Sequence, residues 1–205
     1  MFAPGASRYL AASALALVVL SFLAGLIGVG PLTVAVVVLW AFWVFFAVFL
    51  RDPRRTPGEG VVSAADGRVR EVTCEGARWR ISVFMNVTNV HVNRFPLDGE
   101  VEAISTSGAG FRPAYRADAR HNLQCSYTLA TSIGTVEVVQ MTGIVARRLV
   151  PFVDVGSRGA KGGRLGMIVL GSRVDVLLPA DRAAPTVRVG DRVRAGASTI
   201  ARVMG

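Results

Sequence analysis

The sequence predicts a mostly β domain, a compact sandwich or barrel-like body, behind a transmembrane hairpin of two helices. Three observations predict it. Residues 1–50 hold only Arg8 of the chain's 23 Lys and Arg and none of its 14 Asp and Glu. Beyond residue 55 apolar residues tend to alternate with polar ones, and helical periodicity is weak. Those apolar runs are cut by Asp-Gly, Gly-Asp and Ala-Gly pairs, which are turn chemistry. A length of 205 residues suits one domain with an appendage, and the expected division is 1–50 and 51–205.

Residues 9–27 and 32–50 are uncharged runs of nineteen, and about 20 apolar residues span a bilayer as a helix. Helix is expected because hydrocarbon offers backbone polar groups no other partner. Gly28-Val29-Gly30-Pro31 separates the runs with turn residues. A secretory signal peptide has a shorter apolar core, about 7–15 residues, and no second span behind it. The short turn also permits a hairpin that dips into a single leaflet. Arg8 precedes the first run, and Arg51, Arg54 and Arg55 follow the second. Basic flanks stay on the cytoplasmic side. Both ends, and the domain with them, are therefore expected on the cytoplasmic face of an inner or cell membrane.

"VVSAADGRVREV" (61–72) sets Asp66-Gly67 between two apolar runs, a strong hairpin signal. "RWRISVFM" puts Trp79, Ile81, Val83 and Met85 on one face and Arg78, Arg80 and Ser82 on the other. "TVEVVQMTGIV" is a further β-rich run. "RLGMIVLGSRVDVLLP" (164–179) reads as one long strand with Gly171 and Ser172 in its middle, and a glycine there marks a bulge or a close backbone approach. Residues 111–122 are loop-like, with Arg112, Arg116 and Arg120 making them basic. The last twenty residues read as short strands cut by turns. They resemble the "VGDxVxxG" half of lipoyl- and biotinyl-carrier sandwiches, which relates the fold to that type. The loop lysine, Lys161, lies outside this stretch, so a swinging-arm carrier is not implied.

Composition narrows the partners. The net charge is +9, with 52% hydrophobic residues and a mean hydropathy of +0.46. The positive charge is almost all scattered arginine, and the 8% aromatic content shows no aromatic–basic interleaving. Nucleic acid is therefore not the expected partner; anionic lipid is the simpler one beside a membrane segment. Cys74 and Cys125 form no CxxC, which is neither a disulfide framework nor a metal pattern. His91 and His121, thirty residues apart with no HxH, do not make the three-ligand zinc site of a peptidase. No metal is expected.

Four stretches, taken together and in order, are specific: "RDPRRTP" (51–57), "SAADGRV" (63–69), "FMNVTNVHVNRFPLDG" (84–99), and "GIVARRLV" with "KGGRLGMIVLGSRVDVLLP". The chain in this respect resembles the short form of the pyruvoyl-dependent phosphatidylserine decarboxylase family over nearly all of 51–205. The resemblance implies a proenzyme that cuts itself between Gly171 and Ser172 into a large chain, 1–171, and a small chain, 172–205. Ser172 becomes a pyruvoyl group, so no external cofactor is needed. Its ketone condenses with the amine of a serine phospholipid and accepts the electrons released with CO2. Phosphatidylserine would yield phosphatidylethanolamine; archaetidylserine, with a different tail, presents the same reacting atoms. A homodimer is compatible with this reading.

The residue types suit that chemistry. The Ser172 hydroxyl attacks the carbonyl of Gly171, where no side chain blocks the approach. A serine hydroxyl needs a base beside it, and His91 is the base by its place in "VHVNRFP", with His121 in reserve. Where long-form relatives carry a second histidine and a Ser or Thr, this chain carries Arg94 and Arg173. Asp66, in the family's "ADG" motif, is assigned the orienting carboxylate of a Ser-His-Asp arrangement; alternatively it is only a turn former. Arg147, Arg148 and Arg94 are candidate partners of the lipid phosphate, with Arg112 and Arg116 behind them; the alternative for the Arg147–Arg148 pair is a solvated or membrane-facing charge pair. The second Gly-Ser-Arg, 156–158, sits in a Gly-rich loop without apolar flanks and is expected to stay an ordinary loop. The rival from another class is a non-enzymatic membrane-tethered adaptor, which predicts an intact chain.

Overall fold

The computed structural model describes residues 1–28, 30–110, 121–143, 148–169 and 172–204. The chain divides into two compact units, Met1–Arg54 and Arg55–Gly205.

The first unit is two helices, α1 (Ala6–Ile27) and α2 (Gly30–Phe49). The break falls at the predicted glycines. Gly28 takes a left-handed φ of 70°, and its N–H caps α1 on Ala24 O at 3.1 Å. The indoles of α2 tie the pair together: Trp40 Nε1 donates to Ser21 Oγ, and Trp43 Nε1 to Leu10 O and Ser13 Oγ, each at 3.1 Å. Most remaining apolar side chains stay exposed, Phe22 at 68% and Leu26 at 69%. Both helices are long and apolar enough to cross a membrane, and such a surface is what a helix presents to lipid.

The second unit is mostly β, as predicted. Its strands are β1 (Val61–Val62), β2 (Gly67–Glu75), β3 (Arg78–Met85), β4 (Val92–Arg94), β5 (Gly99–Ser107), β6 (Gln124–Thr131), β7 (Gly134–Thr142), β8 (Arg148–Pro151), β9 (Arg158–Gly159), β10 (Arg164–Val169), β11 (Ser172–Pro179), β12 (Ala183–Pro185), β13 (Arg192–Val193) and β14 (Thr199–Val203). Among the described residues they form a curled sheet in the order β13-β2-β3-β11-β7-β6-β5-β9 and two small sheets, β1-β14-β12 and β4-β10-β8. All three contribute to one core: Ile81, Tyr127 and Val176 from the large sheet, Val61 and Ile200 from one small sheet, Ile168 from the other. The alternation in β3 holds, with Ile81, Val83 and Met85 in that core and Trp79 at its margin.

Two expectations are corrected. Asp66-Gly67 does not turn a hairpin. β1 pairs with β14, and β2 pairs with β3 and β13, so the apolar runs on either side find distant partners instead of each other. Gly67 is needed for close approach: at φ 149°, a Cβ there would overlap Phe84 O on β3. Residues 164–179 are also not one strand. β10, ending at Val169, lies in a small sheet, and β11, starting at Ser172, lies in the centre of the large one. The apolar runs on both sides are buried because each enters a sheet interior, not because they are continuous. The second Gly-Ser-Arg is an exposed turn running into β9, a two-residue edge strand on β5.

Candidate active site

β11 is the innermost strand of the large sheet, paired with β3 on one side and β7 on the other. Its first residue, Ser172, is wholly buried and lies opposite Met85 and Thr142. Thr142 is itself pinned: its N–H and Oγ1 donate to Leu123 O at 3.0 and 3.1 Å, and its carbonyl accepts from Asn122 Nδ2 at 2.7 Å. The Ser172 Oγ makes no hydrogen bond among the described residues. A buried hydroxyl left unused costs about 1–3 kcal/mol, so its retention points to chemistry rather than packing.

His91 is wholly buried, just ahead of β4. Its Nδ1 lies 2.9 Å from Asn89 O. A carbonyl only accepts, so Nδ1 carries a proton, and in the neutral form of the ring the lone pair lies on Nε2. The His91 carbonyl accepts from Ile168 N at 3.2 Å, and β4 pairs along β10. His91 is thus attached to the strand that leads directly into the sheet switch before Ser172.

Asp66 is not bonded to His91. Its carboxylate takes both guanidinium nitrogens of Arg55, Nη2 at 2.8 Å, and the Ala195 N–H at 2.7 Å. It therefore ties the start of the domain to the turn after β13. Arg94 is nearly buried and gives Nη1 to Gly162 O at 2.8 Å. Arg148 is exposed, opposite Val169 on β10. His121 is exposed. Gly171, Arg147, Arg112 and Arg116 lie outside the described residues.

Sequence reasoning missed a buried polar bridge. Tyr127 OH donates to Gln140 Oε1 at 2.9 Å, Gln140 Nε2 to Asn93 Oδ1 at 2.7 Å, and Asn93 Nδ2 to Ala64 O at 3.4 Å. Burial, with Cys125 beside it, pushes the Tyr127 hydroxyl well above the ordinary tyrosine range, so it stays a donor. Asn93 is two residues from His91, and Gln140 is two residues from Thr142, the partner of Ser172. The bridge couples the small sheet of β4, which His91 precedes, to the large sheet of Ser172. Gly166 is required beside it, since a Cβ there would lie 2.7 Å from the Tyr127 OH. The available signal was Gln140 itself, a polar residue at an inward position of an alternating strand, after Val136 and Val138.

The outer face of β11 holds a buried ionic network. Arg173 Nε donates to Asp175 Oδ1 at 2.6 Å, and its Nη2 to Glu71 Oε2 and Ser82 Oγ, both at 2.7 Å. Arg80 Nη1 reaches Asp175 Oδ2 at 2.7 Å. Burial opposes the Arg173 charge, but Asp175 and then Glu71 outweigh it and hold its pKa above the ordinary arginine value. Asp175 is wholly buried between two arginines. Asp175→Ala is expected to destabilise the domain by about 3–5 kcal/mol, because it strands buried charge. Urea unfolding of the detergent-solubilised chain checks this, and a loss below about 1 kcal/mol would refute it.

The comparisons agree with one another. The family model for phosphatidylserine decarboxylase matches residues 42–201. A phosphatidylserine decarboxylase proenzyme of Thermobifida fusca is 46% identical over 158 residues, covering 76% of this chain and 72% of that one. A Halobacterium salinarum protein, provisionally named an archaetidylserine decarboxylase proenzyme, is 44% identical over 185 residues, covering 87% and 90%. A Methanococcoides burtonii protein with the same provisional name is 42% identical over 165 residues, covering 78% and 77%. No solved structure matches the chain. A switch between two sheets that leads into a buried serine with an unused hydroxyl, together with a match over most of the chain, leads to one conclusion: the chain belongs to the phosphatidylserine decarboxylase family.

Proposed function

We propose that this protein is a phosphatidylserine decarboxylase proenzyme that matures by cutting its own chain between Gly171 and Ser172. The observation that carries the reading is Ser172: wholly buried, clamped in register by Met85 and Thr142, its Oγ without a hydrogen bond among the described residues. In maturation the Ser172 Oγ–H gives its proton to His91 Nε2 and Oγ attacks the Gly171 carbonyl. The C–N bond breaks, the Ser172 nitrogen takes up a proton, and the amide becomes an ester. Loss of the Ser172 α-proton expels the Gly171 carboxylate. One water then enters and ammonia leaves, so that residue 172 ends as pyruvoyl.

The site fits that group, because the first residue of the new small chain stays in a strand paired on both sides. A pyruvoyl ketone there supplies an electrophile for the substrate amine and an electron sink during CO2 loss. The protein's own residues do the rest. His91, with its tautomer set by Asn89 O, holds and returns a proton at Nε2. The Gln140–Asn93 bridge ties β4, which follows His91, to β7, the neighbour of β11. Asp66 acts at one remove, through Arg55 and the turn at Ala195. The helices anchor the protein in the membrane, and their basic flanks favour a cytoplasmic domain.

Intact mass of the purified chain tests the reading. Two fragments, 1–171 and 172–205, are expected, the smaller resistant to N-terminal sequencing. A wild-type chain that remains whole would exclude self-cleavage and favour an adaptor. The archaeal names among the relatives motivate a second substrate. Assaying phosphatidylserine and archaetidylserine side by side separates the two.

A further inference from the structure

Strands β2 and β13 carry an arrangement to which the steps above give no role. Arg68 and Arg192 are cross-strand partners in the antiparallel ladder, so their side chains leave the same face directly opposite each other. Like charges so placed repel and weaken the pairing. Arg70, whose guanidinium lies 5.5 Å over the Phe84 ring, and Arg194 border the same cavity of about 830 Å³. All four arginines are exposed, and among the described residues none makes an ion pair.

The nearby carboxylates are engaged elsewhere. Asp66 holds Arg55 and Ala195 N, Glu71 meets Arg173, and Asp191 accepts from Arg188 N at 2.8 Å. The neutral groups are also turned one way. Asn86 Oδ1 accepts from Val87 N at 2.7 Å and Asn89 Oδ1 from Asn86 N at 2.8 Å, so both present NH2 donors. Ser198 Oγ accepts from Arg194 N at 2.9 Å and keeps its O–H to give. The cavity is therefore a concentration of donors and positive charge, which suits a group with several anionic oxygens. Guanidinium forks match phosphate oxygens in pairs.

We propose that this cavity binds the phosphodiester of a serine phospholipid headgroup, with Arg68 and Arg192 as its principal ligands. The location fits. Asn89 borders the cavity and its carbonyl holds His91; Phe84 borders it and is followed by Met85, the partner of Ser172. As to why that headgroup is bound, the proposal rests on the decarboxylase reading. The binding itself is measurable without turnover.

The test uses the full chain in detergent, with Ser172→Ala so that no catalysis intervenes. Calorimetric titrations with glycerophosphoserine, glycerophosphocholine and inorganic phosphate separate the sources. Glycerophosphoserine is expected to bind, more weakly as salt rises, and Arg68→Gln with Arg192→Gln is expected to cost at least about tenfold in affinity, one charge-assisted contact's worth. Unchanged affinity in the double variant overturns the proposal. Binding of inorganic phosphate without glycerophosphoserine overturns the lipid source, and equal binding of glycerophosphocholine overturns the preference for serine headgroups. Without ligand the double variant is expected to melt no lower than its parent, because a repulsion is removed; a clear drop would make the arginines structural and refute the site. Arginine-dependent binding by a chain whose wild type never cuts itself would leave the cavity standing and the decarboxylase reading refuted.

Discussion

Ser172→Ala is expected to leave a single uncut chain with no decarboxylase activity above background. The change removes one oxygen from a position already fully buried between Met85 and Thr142. No hydrogen bond to that oxygen exists among the described residues, so none there is lost and the strand ladder is untouched. The fold is therefore expected to survive, with a melting temperature within a few degrees of the parent. Chemistry is affected entirely, because the hydroxyl oxygen is both the nucleophile and, once acylated, the leaving group whose elimination opens the way to pyruvoyl. A denaturing gel and a CO2-release assay read the two outcomes. Cleavage of the alanine variant, or CO2 from the uncut chain, would refute the mechanism. Ser172→Cys is the informative companion, since a thiol also attacks a neighbouring carbonyl; slow, partial cleavage is expected.

The second large effect is at His91. His91→Gln is expected to slow self-cleavage by about 10²–10⁴-fold, the usual contribution of a placed base, so that precursor accumulates. Glutamine keeps a donor for Asn89 O but has no lone pair of comparable basicity. Time-resolved gels of freshly made protein give the cleavage rate, and turnover per cleaved chain gives the second role. A drop in both would mean that one imidazole serves maturation and decarboxylation, as Arg94 in place of a second histidine suggests. Wild-type rates in both would exclude His91 and return attention to His121. Thermal melting guards against a trivial loss of fold, because His91 is buried.

Much of this was legible in the residues. Charge-free runs of membrane length became α1 and α2, and the glycines between them became the break. The alternation of β3 placed Ile81, Val83 and Met85 correctly. Motif order pointed to Ser172 and His91, and both are wholly buried where β10 gives way to β11 and beside β4. The failures share a cause. Asp66-Gly67 has hairpin chemistry, yet the neighbouring runs pair with β14, β3 and β13. Residues 164–179 look continuous, yet the two halves enter different sheets. A local pattern reports how buried an element is, not which strand lies beside it.

The residues alone gave away the two apolar helices, the β character of the body, the inward face of β3 and the family, because period, charge and motif are local properties. The rest came from how the strands assemble. That assembly sent Asp66 to Arg55 rather than to His91, joined Gln140 on β7 to Asn93 on β4, and set Arg68 opposite Arg192. Each is a contact between residues 11 to 124 apart in the chain, fixed by ladder register and by the demand that buried polar groups find partners. Register is a property of the assembled sheet, and no short stretch contains it.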